Sequence, residues 1–126
     1  MDKQQIISYL KEKNVDKIKF AFADIDGILR GKIISTEKFI EGLHEGYGFC
    51  DVVFGLDAND LAYDNSTYTG WHTGYPDAKA RIDLSTFRKI PWENDVPFFL
   101  GDFVGDKNEP LPICPRQLLK NVIAES

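Results

Sequence analysis

The sequence is short of the residues that usually announce chemistry. It has two cysteines, Cys50 and Cys114, two histidines, His44 and His72, and one methionine. The cysteines form no C-x-x-C pair and no histidine completes a zinc-finger spacing, so the usual structural zinc patterns are excluded. Two cysteines in a chain of this size read as reduced thiols, and we expect a cytoplasmic protein. No apolar run approaches the roughly 20 residues that a membrane-spanning helix needs. The first residues, MDKQQIISYLKEK, lack the continuous apolar stretch of a signal peptide. There is no polybasic stretch. With a formal net charge of −5 and an isoelectric point near 4.9, the surface repels a phosphate backbone, so neither nucleic acid nor membrane is an expected partner. The phosphate-loop, nucleophile-elbow and H-E-x-x-H motifs are missing, as are repeats and low-complexity segments.

What is present is globular. Hydrophobic residues make up 43% and aromatics 13% of 126 residues, enough for one modest core. Ile6, Ile7 and Leu10 recur at helical spacing and predict a short amphipathic helix ending near Asn14. Ile18, Phe20 and Phe22 then alternate with Lys19, Ala21 and Ala23, as in a strand. Asp26-Gly27 is a turn pair and LRGKII a second strand, which together make a hairpin signal. Ser35 or Thr36 caps a second helix with the apolar stripe Phe39, Ile40 and Leu43, ended by Gly46 or Gly48. CDVVFGL reads as a buried strand. Residues 57–76 show no periodicity and predict a long functional or mobile loop. ARIDLSTFRKI and VPFFLGDFV are two more strands, separated by Pro91-Trp92.

Pro115 opens a last helix, PRQLLKNVIAES, with Leu118, Leu119, Val122 and Ile123 as its stripe. A helix of this length is marginal alone. We therefore expect it to pack on something further along a longer protein; packing on this same domain is the alternative. The fold class expected is α+β: a β-grasp-like mixed sheet with two short helices, plus the start of a carboxy-terminal helix.

The sharpest short motif is a strand followed by Asp24-Ile25-Asp26-Gly27. It is similar to the D-x-D-G of haloacid-dehalogenase-type phosphatases, where the first Asp attacks phosphorus and the second is the acid/base. Gly101-Asp102 with Asp106 mimics their late Mg²⁺-holding motif. That fold needs helices between parallel strands, whereas here a strand follows Asp-Gly, and residue 28 is Ile rather than Thr. The competing reading makes Asp26-Gly27 a hairpin turn and Asp24 an edge contact. His44 is expected on the polar side of its helix, and His72 in a surface contact beside Trp71.

Four collinear blocks carry a different resemblance: FAFADIDGILRGKII, FGLDANDLAYD, GYPDAKARIDLSTFRKIPW and CPRQLLKNVI. Together they resemble the amino-terminal domain of the glutamine synthetase family, over essentially the whole chain. The Arg30-Gly31-Lys32 stretch and the lack of an Asp-Gly-Ser-Ser string resemble members that join glutamate to polyamines or other amines more than ammonia-using members. The resemblance implies residues 1–112 as the β-grasp domain and 113–126 as the opening of the first helix of an absent catalytic domain. It implies a parent ligase that uses ATP to phosphorylate glutamate's side-chain carboxylate before an amine displaces the phosphate. ATP and Mg²⁺ or Mn²⁺ would be held elsewhere, with no cofactor and no metal ligand in this chain and no turnover from it alone. The partners implied are the absent domain and neighbouring identical subunits in a ring, whose active site this domain closes. An Asp on a loop of this domain binds and deprotonates the incoming ammonium in the family, and Asp57 is the nearest counterpart; a helix-cap or turn carboxylate is the alternative for it. Trp71, Tyr68 and Tyr75 would pack on a neighbouring subunit, Trp92 would anchor a core or interface, and Asp77 and Asp83 would hold turns. A free-standing β-grasp binding module is the alternative from another class, and the Mg²⁺-dependent phosphatase the third.

Overall fold

The computed structural model of the chain describes residues 1–50, Phe54, Asn59, Leu61, Tyr68 and residues 77–126. The order is α1 (Lys3–Glu12), β1 (Lys17–Ala23), β2 (Leu29–Ser35), α2 (Thr36–Glu45), β3 (Tyr47–Cys50), β4 (Asp77–Ile90), a 3-10 turn (Pro91–Glu93), β5 (Val96–Phe103) and α3 (Pro115–Ala124). Asp2 caps α1 by accepting from the Gln5 N–H, while the Gln5 side chain accepts from the Asp2 N–H. This reciprocal box satisfies two otherwise orphaned donors. Ser35 caps α2. Gly46, at φ +90°, ends that helix and turns the chain directly into β3.

The five strands run in the order β2-β1-β5-β4-β3. Every neighbouring pair is antiparallel except β1 and β5, which run parallel with Lys19, Phe20 and Ala21 opposite Phe98, Phe99 and Leu100. An opening hairpin, a crossing helix and a last strand laid parallel to the first make the mixed α+β sheet β-grasp-like, as the element pattern implies.

Alternation decides the two faces. Ile18, Phe20 and Phe22 of β1 face α1 and α2, and all are at most 1% exposed. Ile6 and Leu10 of α1, Phe39 of α2, Phe99 and Phe103 of β5 and Phe54 join them in one core. Phe39 stacks on Phe99 with ring centroids 5.0 Å apart. Each fully buried Phe contributes about 2–3 kcal/mol of apolar transfer. Gly101 leaves the space that the Phe22 ring fills: a Cβ there would lie 2.2 Å from Phe22 Cε1.

Two expectations shift. The third strand lies at Tyr47–Cys50 and so begins before CDVVFGL. The reason is that Gly46 starts extended backbone at once, and Phe49 enters the core from this strand. Of the rest of that string only Phe54 is described, and it is 4% exposed. Trp92 is no core residue, being 84% exposed, because the 3-10 turn carries it to the end of the sheet. Among the described residues no helix is long and apolar enough to cross a membrane.

Candidate functional site: the hairpin turn, the open sheet face and the root of α3

Asp24 follows the last residue of β1 and is 0% exposed. Its Oδ1 accepts from the backbone N–H of Asp26 at 2.9 Å and of Ile28 at 2.8 Å. Its Oδ2 accepts from the Arg30 guanidinium twice, from Nε at 3.0 Å and from a terminal nitrogen at 2.9 Å. Gly27, at φ +80°, closes the turn by donating to the Asp24 carbonyl. This corrects the reading of Asp24 as an edge contact: it is the buried centre of the turn. It also removes the chemistry of a phosphorus nucleophile, since both carboxylate oxygens are engaged and none faces solvent. Asp102 and Asp106 of the late motif are separated from that role too, because Asp102 is committed to two cations of α3 and Asp106 is exposed.

Those cations form the second cluster. Leu111, Ile113 and the buried Cys114 tie the approach to α3 into the core. Two residues on, Arg116 spreads its fork across two neighbouring strands, reaching Asp102 of β5 at 2.8 Å and Asp83 of β4 at 3.0 Å. Lys120 reaches Asp102 at 2.5 Å. Asp83 also accepts from the N–H and hydroxyl of Ser85, at 3.1 and 2.6 Å. It holds the turn expected of it, where the β4–β5 register shifts between Asp83 and Arg88. Burial pushes the Asp83 carboxyl up, but the Ser85 and Arg116 hydrogen bonds outweigh it and hold the group below its ordinary value.

Beyond this root, α3 buries no residue. Leu118, Leu119, Val122 and Ile123 are 53–64% exposed. The sheet face opposite α1 and α2 is likewise open. It carries a shallow groove of about 520 Å³ lined by Lys19, Ala21, Leu29, Gly31, Ile33 and Phe98, beside a Lys19–Glu93 ion pair at 2.8 Å. Ile25, Ile28, Leu29 and Ile33 are exposed along the hairpin. These exposed apolar side chains make the face a candidate interaction surface.

The predicted site residue Asp57 lies outside the described residues, as do Trp71, His72, Tyr75 and most of the 57–76 loop. Tyr68 is described: it is 44% exposed and sets its ring edge-on to Phe54, 5.6 Å away. His44 is exposed on α2, as expected. Among the described residues no three His, Cys, Asp or Glu side chains gather as metal ligands.

No family model matches the chain. Curated relatives do. It is 58% identical over 118 residues to the type-1 glutamine synthetase 2 of Dictyostelium discoideum, covering 94% of this chain and 23% of the relative. The chain belongs to the glutamine synthetase family. It is also 34% identical over 129 residues to the glutamate–isopropylamine ligase of a Pseudomonas species, covering 99% of this chain and 28% of that protein. The chain thus spans about a quarter of the length of these relatives. The solved glutamine synthetase of Plasmodium falciparum overlays with a TM-score of 0.70 at 16% identity, over 99% of this chain and 22% of that one. That likeness carries the fold, and it is the glutamine synthetase amino-terminal domain. Both a glutamine synthetase and a ligase named for an amine other than ammonia stand among the matched relatives.

Two clusters escaped sequence reasoning. The Asp24–Arg30 pair sits inside a motif whose rival chemistry drew attention away from an arginine six residues on. The Arg116 bridge joins residues 14 and 33 positions apart, and no local pattern signals such a pair.

Proposed function

We propose that the chain is the amino-terminal domain of an ATP-dependent glutamate–amine ligase and completes the amine side of an active site formed with a neighbouring identical subunit. The observation that supports this best is the collinear match along 94–99% of the chain to two amide-forming ligases. The uncovered sheet face and the exposed stripe of α3 fit a domain that packs on more polypeptide. In the reaction, ATP transfers its terminal phosphoryl group to the side-chain carboxylate of glutamate. The amine nitrogen then attacks that carbon, phosphate leaves, and the nitrogen gives up a proton. Residues 1–112 form the domain and 113–126 lead into the catalytic part, which would bind ATP and Mg²⁺ or Mn²⁺. The catalytic part, rather than this domain, is the proposed holder of the metal.

Its own contribution is a carboxylate, assigned to Asp57, that draws in the ammonium form of the amine and takes its proton. The segment carrying Asp57 leaves the sheet after β3 and returns at β4. This anchors both its ends on adjacent strands. The test is substitution in the full-length protein. Asp57→Asn keeps the shape but removes charge and basicity, and should lower amine-dependent turnover ~100- to 10,000-fold. Asp51→Asn, Asp60→Asn and Asp64→Asn are made alongside. A large loss at one of these instead reassigns the carboxylate within the segment. If all four stay within about threefold of wild type, worth only ~0.7 kcal/mol, the amine-side role is wrong.

A further inference from the structure

We propose that the recess between the end of α2 and the edge of β4 is a binding site for a small di- or trivalent anion, of the phosphate or dicarboxylate class. Nothing in this site depends on the ligase reading. Gly46 brings the chain down from α2 so that β3 pairs with β4 only from Tyr47, opposite Ala80. From Arg81 onward, β4 has no described strand along that edge. The last turn of α2 and the first turn of α1 flank the gap, which leaves a recess of about 270 Å³. Leu43, Tyr47 and Leu84 form its apolar wall. The Tyr47 hydroxyl is already committed, donating to the Phe39 carbonyl.

The polar lining is cationic, although the chain as a whole carries −5. Lys3, Lys79 and Arg81 line the recess against one carboxylate, that of Glu45. Among the described residues no acid forms an ion pair with any of the three cations. Arg81 shows how this comes about. Asp102 stands directly opposite it on β5, where a strand pair normally places an opposite charge. Asp102 is instead taken by Arg116 and Lys120. Asp83, two residues along the same face of β4, is held by Arg116 and Ser85. Arg81 is therefore left without a carboxylate.

The carbonyl end of α2 attracts cations, and that accounts for Lys79, whose stem lies against Gly46. It does not account for Lys3, which occupies the first turn of α1, the end where the helix dipole disfavours a cation. A bound anion relieves both that cost and the mutual repulsion of the three charges. The donors for it are in place. Lys79 spends one hydrogen bond, a long one of 3.4 Å, on the Asp106 carbonyl, which leaves two donors of its ammonium. The planar fork of Arg81 suits two oxygens of one phosphate or carboxylate. His44 and Asn108 add N–H donors at the rim. The volume lies just below the range of roughly 300–1,000 Å³ usual for ligand pockets, which fits an ion of a few heavy atoms and excludes a nucleotide.

The experiment titrates the 126-residue chain with inorganic phosphate and with malonate, against chloride at equal ionic strength, and follows backbone amide shifts by NMR. Amides of residues 43–47 and 79–84 should shift saturably, with a Kd of about 1 mM or tighter. Arg81→Gln and Lys79→Gln should each weaken binding about tenfold, as expected for loss of a charged hydrogen bond. Lys11→Gln removes an exposed cation of α1 that does not line the recess, and should leave Kd within about twofold. Saturation by phosphate alone assigns a phosphate-bearing ligand, and saturation by malonate alone a dicarboxylate. Shifts that chloride reproduces, or that rise linearly without saturating, overturn the site. So does equal weakening by Lys11→Gln and Arg81→Gln, which would mean general screening. If Arg81→Gln fails to fold, Lys3→Gln takes its place with the same tenfold loss expected, and unchanged binding in it overturns the site.

Discussion

Removing the Asp24 carboxylate should cost more than any other single loss of charge among the described residues. The perturbation is Asp24→Ala in the 126-residue chain. It strips the acceptor from the Asp26 and Ile28 N–H groups and the counter-charge from a guanidinium that is only 18% exposed. Breaking a buried pair by removing one partner costs about 3–5 kcal/mol, because the other charge loses a buried counter-charge. Arg30 keeps some access to water, which places the expected loss near the lower end, about 3 kcal/mol. Asp24→Asn retains an acceptor oxygen for the two N–H groups, and should lose about 2 kcal/mol. The assay is urea unfolding followed by far-ultraviolet circular dichroism, with thermal melting as a second readout. At this chain length each kcal/mol is worth about 3–6 °C in Tm, so Asp24→Ala should melt roughly 10–15 °C lower. The double variant Asp24→Ala/Arg30→Ala should lose less than the sum of the singles by about 1–3 kcal/mol. A loss under about 1 kcal/mol for Asp24→Ala, the value of an exposed pair, would refute the claim that this ion pair holds the hairpin.

Gly42→Ala sets two effects against each other. Helix propensity favours alanine by up to about 1 kcal/mol, but its Cβ would lie 2.0 Å from Tyr47 Cε1, on a ring held by its hydroxyl donating to the Phe39 carbonyl. Overpacking should win, and a net loss of about 1–3 kcal/mol is expected in the same unfolding assay; a gain in stability would mean the ring moves aside freely. Asp83 predicts a pH effect. Its carboxyl sits below its ordinary value in the folded state, so its contribution is present above about pH 4 and is lost as pH falls through the folded value. Unfolding free energies between about pH 2 and 5 should therefore fall less steeply for Asp83→Asn than for wild type, and parallel curves would contradict the Arg116–Asp83 pairing.

How much of this was legible depended on range along the chain. Helix α1 followed from Ile6, Ile7 and Leu10, the opening hairpin from Phe20 and Phe22 alternating ahead of Asp26-Gly27, and α3 from Pro115. In each case the signal and the structure lie within a few residues of one another. The start of β3 did not follow, because hydrophobicity pointed to CDVVFGL while backbone geometry at Gly46 made the strand begin at Tyr47. Trp92, expected in a core or an interface, is not in the core, for a related reason. A large aromatic is usually inside, but a turn between two strands carries its middle residue outward. The site was the least legible part. Asp24 and Asp83 were visible as acids in motifs, yet their roles are fixed by Arg30 and Arg116, and only the folded sheet brings Asp83 and Asp102 to one guanidinium. Asp57 was chosen by resemblance, and the described residues do not include it.

The most direct test of the central claim is ADP formation by the full-length protein, supplied with ATP, glutamate and Mg²⁺, with and without an added amine. Ammonium, isopropylamine and ethanolamine form the panel. The account predicts that ADP release requires glutamate, rises with at least one amine, and is matched mole for mole by a γ-glutamyl amide detected by mass spectrometry. ADP release indifferent to glutamate and to every amine, or no amide formed despite ATP turnover, would contradict it.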